Sequence, residues 1–393
     1  MRRWRKGEQG RIDRRGVARF ATAVLITFIL AAPQAGAQLR LYEEEIVQDG
    51  AADLGVYSYS VPSYVDWDND GLKDLIVGEK TSIGQGKVRV YLNVGTTTEP
   101  AFNVYVYAQS GVSDLSCLGS GCMGCFPRVV NWDGDGKKDL LVGEALGNIK
   151  IFLNTNTDAD PIFDTGTYLQ VGTAEAKVNI NVGYRATSLI VDWNNDGKKD
   201  LVAGAMDAKI HIFINEGTDN SPDFLTETFA QMDGGGDMIV LSDRSSPEVL
   251  DLDFDGKKDI VTGNTNGQLP FYKNTGTDAS PVFADYELVE AAGVDIDLAG
   301  TPRSRPAVCD WTEDGYLDVL IGAYDGKVHL YQGVIAGDMD YDRDVDLSDF
   351  AVFADHWLEP DCGVCGGTEL THDGSVGLDD LQVFVANWLY GTE

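Results

Sequence analysis

An all-β repeat fold followed by a small helical module is predicted by three features of the sequence. A nine-residue acidic loop returns five times at a spacing of about 60 residues. Short apolar, β-branched runs, punctuated by Gly, Asn and Asp, fill the chain to about residue 334 with no helical period. After Gly337 the pattern changes, and two further acidic loops each lead into an amphipathic helical stretch.

The loop is clearest at Asp66-Trp67-Asp68-Asn69-Asp70-Gly71-Leu72-Lys73-Asp74, followed at once by Leu75-Ile76-Val77-Gly78. It recurs from Asn131, Asp192, Asp251 and Asp310, in steps of 65, 61, 59 and 59 residues. Oxygen-bearing side chains stand at positions 1, 3, 5 and 9, with Gly at 6. They are Asp66, Asp68, Asp70 and Asp74, then Asn131, Asp133, Asp135 and Asp139, then Asp192, Asn194, Asp196 and Asp200. The fourth copy has Asp251, Asp253, Asp255 and Asp259; the fifth has Asp310, Asp314 and Asp318, with Thr312 a weaker donor at position 3.

This alternation lets a short loop curl until its carboxylates converge. Carboxylates about 5 Å apart repel by roughly 1–3 kcal/mol per pair at an effective dielectric between water and a protein surface. An empty loop of this kind is strained, and a hard cation relieves it. All-oxygen ligation with several carboxylates suits Ca²⁺ better than Mg²⁺, which keeps its waters. A lone D-x-D-x-D-G run is commonly a solvated turn, but five in phase point to a metal. These five are not EF-hands. Position 12 (Val77, Val142, Ala203, Thr262, Ile321) never carries the bidentate Glu, and a strand pattern begins there.

Each repeat has the same order. A short strand enters the loop, with Pro62, Pro127, Pro247 and Pro306 four residues before it and Ser188 in the third copy. An apolar strand leaves it, as in Leu140-Leu141-Val142-Gly143. An alternating strand follows a Gly-containing turn, as in Lys150-Ile151-Phe152-Leu153. An Asn-x-Gly-Thr turn and Pro-x-Phe come next (Asn274 to Thr277, Pro281 to Phe283), and a looser strand closes the unit. Four antiparallel strands in about 60 residues make a β-propeller blade. The fifth copy stops after Lys327 to Tyr331, while residues 39–61 resemble the stretch preceding an acidic loop. The expectation is a five-bladed β-propeller over 38–334, its N-terminal strand completing the last blade and removing a free edge.

Loops and blades together resemble the FG-GAP or VCBS repeat family, best known from the integrin α-subunit propeller, over residues 39–334. The resemblance implies Ca²⁺ in every loop, with the backbone carbonyl of position 7 (Leu72, Lys137, Lys198, Lys257, Tyr316) added to the side chains.

The tail repeats a different unit. Asp338, Asp340, Asp342, Asp346 and Asp349 lie at positions 1, 3, 5, 9 and 12 of a loop that precedes Phe350, Phe353 and Trp357 on one helical face. Glu369, Thr371, Asp373, Gly377 and Asp380 form a degraded second copy ahead of a second helical run. Two such units with Asp at position 12 resemble a type I dockerin, over residues 337–391. That resemblance implies Ca²⁺ held by Asp338, Asp340, Asp342, Asp349, Asp373 and Asp380, and a cohesin-type partner chosen by Leu347-Ser348 and Leu378-Asp379. So few apolar side chains on about 55 residues make a poor core without a metal.

Residues 1–37 have the form of an export signal: eight Arg/Lys against Glu8 and Asp13, an apolar run from Phe20 to Ala32, and an Ala35-Gly36-Ala37 end. The apolar run is too short to span a bilayer. Arg14-Arg15 leaves the general and twin-arginine routes both open. Domains are therefore expected at 1–37 (signal), 38–334 (propeller) and 335–393 (dockerin-like), in a protein that is secreted or at the cell surface. A formal charge of −33 excludes nucleic acid and anionic membrane as partners. Export permits disulfides within Cys117/Cys122/Cys125 and between Cys362 and Cys365, whereas Cys309 lies in a strand pattern as a small apolar residue.

No catalytic constellation stands out. The four histidines (His211, His329, His356, His372) lie in strands or the tail, so a Ser-His-Asp or Cys-His arrangement has no obvious base, and Glu79 and Glu144 occupy matching repeat positions. The sequence favours a non-catalytic module recognising a glycan or an extracellular protein. A polysaccharide-degrading enzyme of a dockerin-bearing assembly is the alternative.

Overall fold

The computed structural model describes residues 39–81, 84–121, 123–298, 300–360, 365–371 and 375–392. The expected signal, Cys122, Cys362, His372 and Asp373 lie outside them. The chain divides into two compact units, Ala37–Ile335 and one that holds Ala336–Glu393.

Among the described residues the larger unit is built of five main sheets of four or five strands, with four smaller ones of two or three strands beside them. The strand entering each acidic loop pairs antiparallel with the strand leaving it: Val61–Val65 with Asp74–Lys80, Phe126–Val130 with Asp139–Gly143, and Thr187–Val191 with Asp200–Gly204. Ser246–Leu250 with Asp259–Gly263 and Arg305–Cys309 with Asp318–Gly322 complete the series. A third strand (Gln85–Tyr91, Ile149–Phe152, Ile210–Phe213, Pro270–Tyr272, Val328–Tyr331) extends each sheet. The fourth strand is short in the first four sheets. In the fifth it comes from the other end of the chain, Glu45–Ile46 pairing antiparallel with His329 and Leu330.

The entering strands pack on one another in cyclic order, first on second through to fifth on first. Each is an edge strand of its sheet, which is why Pro is tolerated there. The close approach demands Gly at the end of every second strand. A Cβ on Gly78, Gly143, Gly204, Gly263 or Gly322 would lie 2.2, 2.0, 2.5, 2.1 or 2.2 Å from a backbone oxygen of the next unit's entering segment, Ser60 being the contact for Gly322.

The apolar core is divided between neighbours in the same cycle. One cluster joins Ile76 and Val90 to Leu140 and Val142, another Leu141 to Leu201 and Ala203, and another Val202 and Ile212 to Ile260. The last two join Val261 to Val319 and Ile321, then Leu320 and Val328 back to Leu75 and Val77. At each seam the aromatic at loop position 2 meets the Phe of the next Pro-x-Phe or its equivalent. Trp67 meets Phe163, Trp132 meets Phe224, Trp193 meets Phe283 and Trp311 meets Phe102, at 5.7–6.5 Å between ring centres. Leu252 replaces the tryptophan in the fourth loop and packs in the cluster that contains Leu41. A disulfide between Cys117 and Cys125 ties the first sheet's outer strand to the start of the second unit.

Among the described residues the smaller unit has two α-helices, Leu347–Asp355 and Leu378–Ala386, related by a near repeat. Val345 exchanges backbone hydrogen bonds with Leu389 and Tyr390, and Val376 does the same with Leu358 and Glu359. Between the helices Phe353 and Phe384 stack at 5.4 Å, flanked by Phe350, Trp357 and Trp388. Cys365 is disulfide-bonded, and Cys309 is free. Among the described residues no helix is long and apolar enough to cross a membrane.

Candidate metal centres

Every loop turns through two left-handed residues, at positions 4 and 6: Asn69 and Gly71, Gly134 and Gly136, Asn195 and Gly197, Phe254 and Gly256, Glu313 and Gly315. Gly suits position 6 because it meets no Cβ penalty there. The curl is held by the acids themselves. Asp66 Oδ2 accepts from Gly71 N at 3.2 Å and Asp70 Oδ1 from Leu72 N at 2.8 Å, and Asp251 Oδ2 accepts from Gly256 N at 2.9 Å.

Two loops thereby bring three carboxylates within 4.8 Å: Asp66, Asp68 and Asp70, and Asp251, Asp253 and Asp255. In the other three loops an amide or hydroxyl stands at one of these positions, Asn131, Asn194 or Thr312. Several of these oxygens are buried without a hydrogen-bond partner, namely Asp66 Oδ1, Asp251 Oδ1 and Thr312 Oγ1. An unsatisfied buried oxygen costs about 1–3 kcal/mol, more when charged. Three such atoms at loop positions 1 and 3 fit a cation, which would supply the missing partner. Burial and the neighbouring carboxylates raise the pKa of Asp68 and Asp251, so the loops resist full ionisation without a counter-charge.

The position-9 acids behave differently. Asp74, Asp139, Asp200, Asp259 and Asp318 are at most 2 % exposed. One oxygen of each accepts from the backbone N–H of loop position 2, as Asp74 Oδ2 does from Trp67 N at 2.7 Å. The other accepts from the N–H that follows the third strand: Asn93, Asn154, Asn215, Asn274 or Gly333, all at 2.7–2.8 Å. These acids therefore fasten the loop to the sheet. Burial pushes Asp74 and Asp259 up to about 6 and Asp318 to about 7, against the pull of those N–H groups. Asp139 and Asp200 shift the same way.

The smaller unit gathers Asp338, Asp340 and Asp342 within 4.8 Å, and likewise Asp344, Asp346 and Asp349. Asp344 Oδ1 is buried without a partner. Burial and the charges of Asp349, Asp342 and Asp338 raise Asp340 to about 6. Asp349 and Asp380 do matching work. Asp349 accepts from Met339 N, Asp340 N and Asp346 N, and Asp380 accepts from Leu370 N, Thr371 N and Gly377 N.

Glu79 and Glu144 are engaged by their surroundings. Glu79 accepts from Arg89, Tyr57 N and Tyr107 Oη at 2.9–3.0 Å. Glu144 accepts from Leu118 N and Tyr168 Oη at 3.2 Å, with Lys150 at 3.5 Å. A third acid, the partly buried Glu248, pairs with Arg128, which also donates to the carbonyls of Pro62 and Pro306. Four of the five entering strands thus meet at one guanidinium. That convergence has no signal in the spacing of the motif.

A family model described as an FG-GAP-like repeat matches residues 192–262, from the third loop to the strand leaving the fourth. No curated protein matches the chain. Among solved structures the chain is similar to the Photorhabdus luminescens Tc holotoxin pore, at 13% identity and a TM-score of 0.38, over 75% of this chain and 15% of that one. It is similar to a GH43_1 enzyme from Xanthomonas citri, at 10% identity and a TM-score of 0.42, over 74% and 89%. It is also similar to the NanB sialidase from Streptococcus pneumoniae, at 12% identity and a TM-score of 0.32, over 70% and 42%.

Proposed function

We propose that this is an exported calcium-binding protein whose residues 38–334 form a five-bladed β-propeller recognising a glycan or an extracellular protein without catalysis. On this reading residues 335–393 are a dockerin-like module that attaches it to a cohesin-type domain of an extracellular assembly, after removal of a signal at 1–37. The blade count is supported by the cyclic packing of entering strands and by five inter-sheet apolar clusters.

The observation that carries the metal reading is the set of buried loop oxygens that accept no hydrogen bond. Calcium is the favoured ion because the donors are all oxygen, carboxylates are several and the loops are irregular. Recognition is favoured over catalysis because Glu79, Glu144 and Glu248 are each tied to cationic and hydrogen-bonding partners, so none of these three is free to act as a general acid. A binding and activity screen on plant and algal polysaccharides, run with and without chelator, tests both parts. Tight, chelator-sensitive binding without cleavage is expected. Turnover would refute the non-catalytic reading, and indifference to chelator would refute the calcium reading.

A further inference from the structure

The fourth strand of the first sheet departs from its counterparts. Val106 pairs with Val90, whereas Thr167, Thr228, Glu287 and Glu45 take that place opposite Ile151, Ile212, Phe271 and Leu330. Two residues earlier the first sheet has Val104, and the others have Thr165, Thr226, Asp285 and Glu43. Val104 is 70 % exposed and Val106 is 59 % exposed. Four polar counterparts at each position show that the fold does not need valine there. In a chain of net charge −33 such an apolar surface marks a contact with something else.

Val106 lines a cleft of about 350 Å³ between the first sheet and the turn Ala159-Asp160-Pro161 of the second unit. That volume lies within the range of ligand clefts, about 300–1,000 Å³. Val90, Leu92 and Pro161 add to its apolar wall, and Asp68 and Asp160 line it too. Neither Lys nor Arg is among the described residues that line it. Its polar donors Tyr107 Oη and Gln109 Nε2 are engaged. The first donates to Glu79 at 3.0 Å, and the second to Tyr107 O at 2.8 Å and Asp114 Oδ1 at 3.0 Å. The aromatic faces are taken as well, since Trp67 is buried and Lys87 Nζ lies 4.2 Å from the centre of the Tyr107 ring.

We propose that this cleft docks an extended segment of a partner protein in which an aliphatic side chain is flanked by lysine or arginine. The valine wall takes the aliphatic anchor out of water. Asp68, Asp160 and the acidic surface beyond them complement basic flanks. A second copy of this chain would bring the same large negative charge and be repelled. A saccharide would meet engaged donors and no open aromatic face to stack on. The inference rests on the recognition reading and takes its protein arm.

Isothermal titration of the full chain, at fixed calcium and physiological ionic strength, with three acetylated heptapeptides tests it. One alternates lysine with leucine, one has serine for each leucine, and one has glutamate for each lysine. The lysine–leucine peptide binds the native chain, and the other two bind at least ~10-fold more weakly. Val104→Thr combined with Val106→Thr installs the residue that the second and third units carry, so Tm is unchanged while affinity for the lysine–leucine peptide falls ~10-fold. Unaltered binding by that variant overturns the inference, as does equal binding of the lysine–serine peptide or binding of no peptide. A neutral oligosaccharide that binds the native chain but not the variant also overturns it, and leaves recognition standing with a glycan in the cleft. Binding of neither peptide nor saccharide removes both readings.

Discussion

Lys73 Nζ donates to the backbone carbonyl of Asp310 at 3.1 Å, so the first acidic loop holds the fifth across 237 residues of sequence. Lysines at the same loop position make the same backward reach. Lys138 contacts Asn69 and lies 3.9 Å from Asp66, Lys199 Nζ donates to Asn131 O at 2.5 Å, and Lys258 Nζ donates to Asn195 Oδ1 at 2.6 Å. The fifth loop has Leu317 there, so the fourth loop receives no such lysine. Instead Lys273, from its own sheet, contacts Asp253 and lies 3.3 Å from Asp255.

Replacing Lys73 by Met should remove a charge-assisted bond between the first and fifth units while keeping the apolar stem. The expected cost is about 1 kcal/mol in urea unfolding. Lys199→Met should cost a similar amount. No change in either variant would mean that the lysine contacts carry no weight.

The fourth loop should be the one most sensitive to its lysine. An ammonium among Asp253 and Asp255 would compete with a divalent ion for the same oxygens. Lys273→Met should therefore tighten calcium binding at that loop, and Asp251→Asn should weaken it. Calorimetric titration of calcium into chelator-treated protein reads both. Saturating calcium at ~100 times its Kd should add about 2.7 kcal/mol per site.

Asp318→Ala should be severely destabilising even without metal. It leaves the N–H groups of Trp311 and Gly333 unpaired in a buried site, a loss of about 2–5 kcal/mol. A variant at an exposed loop acid such as Asp70 should cost far less in chelator. Equal effects would remove the distinction between the fastening acids and the exposed loop acids.

That distinction marks where the sequence stops being informative. The 60-residue period, the strand order and the acids converging in the first and fourth loops are local patterns, set by spacing and by Gly and Asn at left-handed positions. The role of position 9 is not local. Asp74 and Asp70 look alike in the motif, and only the arrival of Asn93 at the end of the third strand separates them. The lysine reach between loops and the meeting of Arg128 with Glu248 depend on cyclic packing, which relates residues 63 to 237 positions apart. The second tail loop lies partly outside the described residues, so Asp373 is not placed.

His329 gives the joined ends a pH dependence. It sits between Asp325 and Glu44, the latter from the N-terminal segment. Burial opposes its charge, but the two carboxylates outweigh burial and hold its pKa above the ordinary 6.5. The folded state thus binds this proton more tightly than the unfolded state. Its contribution is complete below about pH 6.5 and is lost as pH rises through the folded value. Asp325 is shifted down, so its own contribution disappears only in acid. Tm should therefore fall from about pH 6.5 upward, and Glu44→Gln should flatten the decline. An unchanged slope in that variant would separate His329 from the stability of the joined ends.

The smaller unit offers the sharpest contrast between its two halves. Asp349 and Asp380 each accept three backbone N–H bonds and close a loop onto a helix start, but among the described residues only the first half also gathers three loop carboxylates, Asp338, Asp340 and Asp342. In chelator, Asp349→Ala and Asp380→Ala should lower the melting of this unit to a similar degree, since each strips equivalent hydrogen bonds. In millimolar calcium the first half should recover more stability in the native chain, because three converging carboxylates should bind a cation more tightly than a loop with Glu369 and Thr371. Asp340→Asn should therefore erase most of the calcium-dependent gain, whereas Thr371→Ala should leave it nearly intact. Scanning calorimetry resolves this if the two units melt separately. A gain that survives Asp340→Asn would place the ion elsewhere in the tail.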